Sequence, residues 1–326
     1  MPSAIPLVRV VRSGLVESVH AGHVAVCDAR GRVLAALGDP HRVLYSRSST
    51  KPLQAAVSLR HIGELPEDLV AIMCASHNGE PEHVQAVRRL LRRGGVPVSA
   101  LGCPPDLSSR PRVARRAGRA TRIAHNCSGK HAGMLVACVR AGWDLDTYLS
   151  RGHPLQRDVL RAVRRGTGVD RPIVGVDGCG APVHGVPLAG MATLFARLAR
   201  PEHLGPYAAQ AARAVAAMRA HPFLVGGSGR TDTLLISRAP GIVSKVGAEG
   251  LFCAASLDQG IGVAVRIEDG GDRASGPALI HALAELGMLT PEDLQHLAPV
   301  ARREVLGGGG PVGAVEAAFR LRRSRD

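Results

Sequence analysis

Ser48-Ser49-Thr50-Lys51 is the first stretch of the chain whose residue types suit bond-breaking chemistry. Three residues apart on a helical turn, Ser48 and Lys51 face the same side, so a lysine nitrogen can take the serine proton. Taken alone, that spacing also describes a helix N-cap followed by a solvated lysine. Two further groups give it company: Ser76-His77-Asn78, just before an expected helix, and Lys245-Val246-Gly247, on an expected strand. A second cation near Lys51 disfavours protonation of both amines and leaves one of them available as a base. His77 reads as a loop hydrogen-bonder.

A fourth group is Cys127-Ser128-Gly129-Lys130-His131, with Cys179 in Asp177-Gly178-Cys179-Gly180. Cys127 and Lys130 share a helical face, and Cys179 can arrive from a turn elsewhere. Two thiolates and a neutral amine can hold zinc, with water or another side chain completing a tetrahedron. C-x-x-K is not a standard zinc signature, however, and buried thiols are the alternative. The first three groups have the order and types of the S-x-x-K, S-x-N and K-x-G elements of penicillin-recognising serine enzymes.

Composition points at the same lysines independently. Lys and Arg together number 41, yet only Lys51, Lys130 and Lys245 are lysine. Arginine stays protonated in proteins, whereas a buried lysine can lose its proton. Where charge alone suffices, arginine has replaced lysine, and the remaining three are candidates for amine chemistry. They are expected to be buried, each near a serine hydroxyl, another lysine or a metal.

The excess of Lys and Arg over 27 Asp and Glu raises a nucleic-acid reading, with Arg-dense stretches at 88–93, 111–119 and 320–326. Only eight aromatics (one Trp, three Tyr, four Phe) are present to stack on bases, and no nucleic-acid motif appears. No nucleic-acid partner is therefore expected. No uncharged apolar run reaches membrane-spanning length, and the N-terminus lacks a signal peptide's charged and apolar regions. Seven cysteines form an odd, scattered set that reads as thiols, buried residues or metal ligands. The expected compartment is the cytoplasm.

The elements that must position these groups are legible in outline. Apolar runs joined by Asp28-Ala29-Arg30-Gly31 give an opening hairpin. A helix is expected from Ser48, with Pro52 tolerated in its first turn. Others open at Pro81, near Cys127–Gly129 and at His153-Pro154. Alanine-rich helices fill 187–219, and 226–233 reads as a tight polar loop. Three strands and a helix at 274–287 follow. The expectation is one α+β domain over 1–326, with a mainly antiparallel sheet from about 6–38 and 232–270 and a mostly helical middle at 48–222.

Taken together, SRSSTKPLQA, ASHNGE, HNCSGKHAGML, GHPLQ, DGCGAP and GGSGRTDT resemble the Rhizobium-type L-asparaginase II family. The resemblance runs from the first hairpin to beyond Lys245; the Gly307–Gly310 run matches less clearly. It implies a fold similar to serine glutaminases, β-lactamases and penicillin-binding proteins, and hydrolysis of L-asparagine to aspartate and ammonia. It also implies serine–lysine pairs at Ser48 with Lys51 and Ser76 with Lys245. A zinc site would fall on Cys127, Lys130 and Cys179, with Asp177 and His131 close by. Backbone N–H groups near the start of the Ser48 helix are the default oxyanion hole, and Asn126, Asp177, Arg230 and Asp232 are candidates for holding the substrate. A homodimer acting on a small amino-acid amide is expected. The alternatives are a serine glutaminase, a penicillin-interactive hydrolase, or a basic binding protein without activity. A β-lactamase is disfavoured because S-x-N follows S-x-x-K by only about 25 residues.

Overall fold

A computed structural model describes residues 3–321, so the end of the Arg-rich 320–326 tail lies outside it. The first half of the chain forms β1 (Ile5–Arg12), β2 (Leu15–Asp28), β3 (Val33–Leu37), β4 (Val43–Tyr45), α1 (Lys51–Ile62), α2 (Glu67–Met73), α3 (Pro81–Arg93), α4 (Pro111–Ala117), α5 (Ser128–Ala141) and α6 (Pro154–Thr167). Then come β5 (Ile173–Val176), β6 (Pro182–Pro187), α7 (Leu188–Ala199), α8 (Ala208–Ala220), α9 (Pro222–Val225) and α10 (Thr231–Arg238). The last third holds β7 (Ile242–Val246), β8 (Leu251–Ser256), β9 (Ile261–Ile267), α11 (Asp272–Glu285), α12 (Pro291–Ala301), β10 (Arg303–Gly307) and β11 (Gly310–Ala317). The architecture is α+β, as expected. Two compact units divide it: residues up to 49 with Val186–Arg200 and Leu234 onward, and Thr50–Gly185 with Pro201–Thr233.

The first unit is built on an antiparallel sheet in the order β10-β11-β1-β2-β9-β8-β7, with β3 beside β2. Val24 and Val26 of β2 join Val263 and Val265 of β9 and Leu279 and Leu283 of α11 in one apolar core. Alternation along the strand sends Cys27 to the other face, where its thiol bonds Thr193 of α7. Both faces of the central strands are thus covered, which is why β8, Leu251–Ser256, is buried at every residue. Sheet from both chain ends agrees with expectation. The hairpin β10–β11 does not follow from it: Arg303 pairs with Val315 and Gly307 with Gly310, and β11 continues onto β1. The turn is Gly308-Gly309, both at positive φ. Residues 231–238, expected in loop and sheet, form α10 instead.

The second unit is mainly helical and places the segments that carry chemistry. The helix start expected at Ser48 is split. Arg47–Thr50 make a 3-10 turn, and the α-helix begins at Lys51, with Pro52 in its first turn where no N–H is missed. α5 follows Cys127 and closes on Gly142 in the left-handed conformation. A Cβ on Gly129 would lie 2.1 Å from the Ile72 carbonyl oxygen, so only glycine lets the start of α5 sit against the end of α2. β5 and β6 pair antiparallel around the turn that holds Cys179.

Candidate active site

In the second unit, Lys51 is 1% exposed, a lysine sealed in the interior. Its ammonium nitrogen donates to the Ala75 carbonyl at 2.6 Å, to Ser76 Oγ at 3.0 Å and, at the limit of bonding, to the Asn126 carbonyl at 3.5 Å. Three acceptors match the three protons of an ammonium. A carbonyl can only accept, whereas a hydroxyl can also donate. When Lys51 loses a proton, the Ser76 contact is therefore the one that can reverse, with Oγ–H donating to the amine. The sequence reading paired Ser76 with Lys245; the bond within this unit is to Lys51.

Backbone bonds hold Ser76 in place from both sides. Its N–H reaches the Val225 carbonyl at 3.0 Å, that of Asn78 reaches Gly226 at 2.9 Å, and that of His77 reaches Asn126 at 3.2 Å. His77 acts as expected, as a loop hydrogen-bonder. Its Nδ1 accepts from Gly79 N–H at 3.0 Å, which places the ring proton on Nε2, 3.0 Å from Ser128 Oγ. Ser128 in turn donates to the Ile123 carbonyl at 2.8 Å. Burial, with His83, Lys51 and His125 nearby, holds the His77 pKa well below its ordinary value. The ring is a fixed neutral strut. Asn78 donates to Glu80 Oε1 at 2.8 Å, and the same carboxylate takes the Ser228 N–H and hydroxyl at 2.9 and 2.7 Å. This ties the 226–230 loop to Ser76-His77-Asn78. Glu80 and Ser228 were missed in the sequence, where Glu80 reads only as the residue before a helix-opening proline.

Cys127, Lys130 and Cys179 converge in the same unit, each at most 4% exposed. Lys130 Nζ lies 3.0 Å from Cys179 Sγ. The hydrogen bond with Cys179 holds the Cys127 pKa well below its usual value, overcoming burial with help from Lys51 and Lys130. Burial works against charge on Lys130, but Cys179 and Cys127 outweigh it and raise its pKa. Tyr148 receives the Gly102 N–H at 2.8 Å and so donates its own proton to His131 Nδ1, 2.6 Å away. That leaves the His131 proton on Nε2, with Cys179 as a hydrogen-bonding neighbour of the ring. Burial brings the His131 pKa down to about 4, so the ring is neutral.

Two sulfurs and an amine are a donor set that zinc accepts. Among the described residues no three His, Cys, Asp or Glu side chains are arranged to hold a metal ion. A site here therefore depends on Lys130 as third donor, and metal binding must release its proton. The residues fit the metal on those terms. All seven cysteines are free and buried.

The remaining substrate candidates differ in character. Asn126 is exposed, its side-chain oxygen 2.9 Å from Cys127 Sγ. Asp177 anchors the β5–β6 turn, with Oδ1 accepting Gly178 N–H at 2.9 Å and Oδ2 4.0 Å from Cys179 Sγ. Arg230 is half-buried, and Asp232 is 1% exposed in the first turn of α10.

In the first unit, Ser48 is half-buried and follows Arg47, whose φ of 44° is left-handed for a non-glycine residue. Backbone strain at that point, about 1–2 kcal/mol, is a common feature beside reactive groups. Of the backbone donors expected for an oxyanion hole, Ser49 N–H is already bonded to the Ser46 carbonyl at 3.1 Å. Ser49 Oγ donates to the Lys245 carbonyl at 3.0 Å. A Cβ on Gly247 would come within 3.0 Å of that same hydroxyl oxygen, which accounts for glycine two places after the lysine. Lys245 is 0% exposed, and its Nζ lies 3.0 Å from the Val246 carbonyl oxygen. All three lysines are thus buried, as composition led us to expect.

The model of the L-asparaginase II family matches residues 8–317. The chain belongs to the L-asparaginase II family. The family supports a hydrolase. No curated protein matches the chain. A beta-lactamase from Mycobacterium bovis is 20% identical, over 82% of this chain and 95% of that one, with a TM-score of 0.44. A chain from Bacteroides dorei with a provisional beta-lactamase designation is 13% identical, over 80% and 92%, with a TM-score of 0.39. Likenesses of that size carry no argument about what this asparaginase-family chain does. No helix among the described residues is long and apolar enough to cross a membrane.

Proposed function

We propose that the chain is an L-asparagine amidohydrolase that works through an acyl-enzyme on Ser48. The observation that carries the reading is the buried Lys51 amine on the Ser76 hydroxyl, inside a chain of the L-asparaginase II family. Ser48 stands one turn before Lys51. In its neutral form Lys51 takes the Ser48 proton as the oxygen attacks the side-chain amide. The C–N bond of the tetrahedral adduct breaks as the departing nitrogen receives a proton from the Lys51–Ser76 pair, and ammonia leaves. Water, deprotonated by the same pair, then splits the ester to free aspartate and restore Ser48 Oγ–H.

Asn126, Asp177, Arg230 and Asp232 are proposed to hold the amino-acid head group. Zinc, when bound, would be held by Cys127, Lys130 and Cys179 and would supply positive charge for orienting a carboxylate or amide. The homodimer belongs to the same proposal and is checked by light scattering.

The direct geometry of Lys51 with Ser76 favours one second reading, in which Ser76 is the nucleophile. Mass spectrometry of quenched turnover separates the two, since the acyl adduct must sit on the peptide with Ser48 or on that with Ser76. A coupled ammonia assay with asparagine, glutamine and nitrocefin tests the substrate. Release from asparagine is expected; hydrolysis of nitrocefin alone would replace this reading with a penicillin-interactive one. No ammonia, with salt-dependent nucleic-acid binding, would replace it with a basic binding protein.

A further inference from the structure

The second unit has a cavity of about 660 Å³ that is distinct from the lysine–serine and sulfur groups. Arg88 of α3, Arg112 and Arg116 of α4, and Arg119 just beyond α4 stand around it. All four are exposed, and none has a side-chain hydrogen bond or ion pair among the described residues. Their neighbour Arg89 is different: it pairs with Asp68 at 2.5 Å. Four uncompensated guanidiniums repel one another, and a convergent cluster of them is relieved by an anion.

The floor is not charged. Val84 lies one turn before Arg88 on α3, and Leu107, Val113 and Ile123 complete an apolar surface. Leu107 is 43% exposed. A cavity of several hundred Å³, mostly apolar and with a few convergent charged groups, has the form of a small-molecule site. We propose that it binds an organic polyanion with a flat or apolar body, of the nucleoside di- and triphosphate class. The arginine fork recognises the phosphates and the valine–leucine–isoleucine floor covers the base. A long nucleic acid is the poorer fit, because the apolar floor is concave and no aromatic side chain lines it.

The site also touches the machinery described above. Gly79 and Ser108 belong to its wall. Ser108 Oγ donates to the Asn78 carbonyl at 2.6 Å, and Ser109 Oγ to the Asn78 side-chain oxygen at 2.8 Å. A bound anion therefore bears on the loop that carries Ser76 and Asn78.

The test is isothermal titration of the full chain in low salt, independent of any catalytic reading. The probes are ATP, pyrophosphate as the head alone, and adenosine as the body alone. ATP is expected to bind with a Kd below about 1 mM, pyrophosphate several-fold more weakly, and adenosine not measurably. The double variant Arg112→Gln/Arg116→Gln should weaken ATP at least about tenfold. Arg140→Gln/Arg219→Gln removes the same charge from the last turns of α5 and α8, where neither residue lines the cavity, and should leave ATP unchanged. Circular dichroism checks that both fold. No ATP binding would overturn the proposal. So would an equal loss in the control variant, pyrophosphate binding as tightly as ATP, or a DNA duplex that binds through Arg112 and Arg116 when ATP does not.

Discussion

Ser76→Ala removes one hydroxyl from a residue 7% exposed and leaves the backbone bond to Val225 in place. Its effect on stability reports the charge on Lys51, whose nitrogen sits 3.0 Å from that oxygen. Loss of a hydrogen bond to a charged group costs about 1.5–3 kcal/mol, and loss of a neutral one about 0.5–1.5 kcal/mol. The proposed mechanism needs a neutral Lys51 at working pH, so the expected destabilisation is about 1 kcal/mol, read as a shift in urea midpoint at constant slope. Turnover should fall much further, by about 10²–10⁴-fold, the size of a lost proton-transfer group. At 1.36 kcal/mol per decade, that is about 3–5 kcal/mol on the barrier. A hydroxyl worth about 1 kcal/mol to the fold and several times that to the transition state is acting on the reaction. Ammonia release within about threefold of wild type in the folded variant would remove Ser76 from the mechanism. A destabilisation near 3 kcal/mol would instead make Lys51 an ammonium and refute it as the resting base.

Other substitutions separate the remaining roles. Ser48→Ala should abolish ammonia release and leave the thermal midpoint nearly unchanged, because the residue is half-buried and small; substantial turnover would exclude it as nucleophile. Metal analysis should find about one zinc per chain, and Cys179→Ser should lower that content; metal-free protein that is fully active would return the cysteines to buried thiols. Gly129→Ala drives a methyl group against the Ile72 carbonyl oxygen and should cost at least about 1–3 kcal/mol, measured by urea unfolding. Asp158 gives a pH signature. Burial pushes its pKa up, but Tyr207, His61, Arg161 and Arg60 outweigh that and hold it below the ordinary 3.8. Its stabilisation is therefore present above pH 3.8 and lost as pH falls through the lower folded value. Asp158→Asn should be less stable than wild type at pH 7, with the difference in urea midpoint shrinking below about pH 4; a constant difference would contradict the assigned shift.

Element positions were legible where punctuation was strong. Pro81, Gly95, Pro154 and Gly142 mark the ends of α3, α6 and α5, because proline fixes φ at a helix start and glycine supplies the left-handed exit. The start of α1 was less clear, since Ser48 to Thr50 offer a 3-10 turn the same favourable side chains as an α-helical one. The hairpin β10–β11 was not legible in its glycine run, because β11 finds its place only by pairing with β1. Contacts between distant segments were the least legible. Nothing in Ser-His-Asn announces that Glu80 will bind both Asn78 and Ser228, because the partners lie about 150 residues apart and meet only through tertiary packing.

The lysines carry the most information per residue. Arginine would serve at any surface position that needs only positive charge, and this chain uses it there throughout. At Lys51 a guanidinium could not give up its charge to accept a proton, as the amine between the Ala75 carbonyl and the Ser76 hydroxyl can. At Lys130 it could not become a single nitrogen donor beside two sulfurs. Lys51→Arg should thus carry a permanent charge, lose the proton acceptor and lose activity to the extent that Lys51→Met does. If Lys51→Arg kept substantially more activity than Lys51→Met, charge and not basicity would be the function of this residue. The buried lysines would then be electrostatic fixtures, and the amine chemistry inferred from their scarcity would fail at its central position.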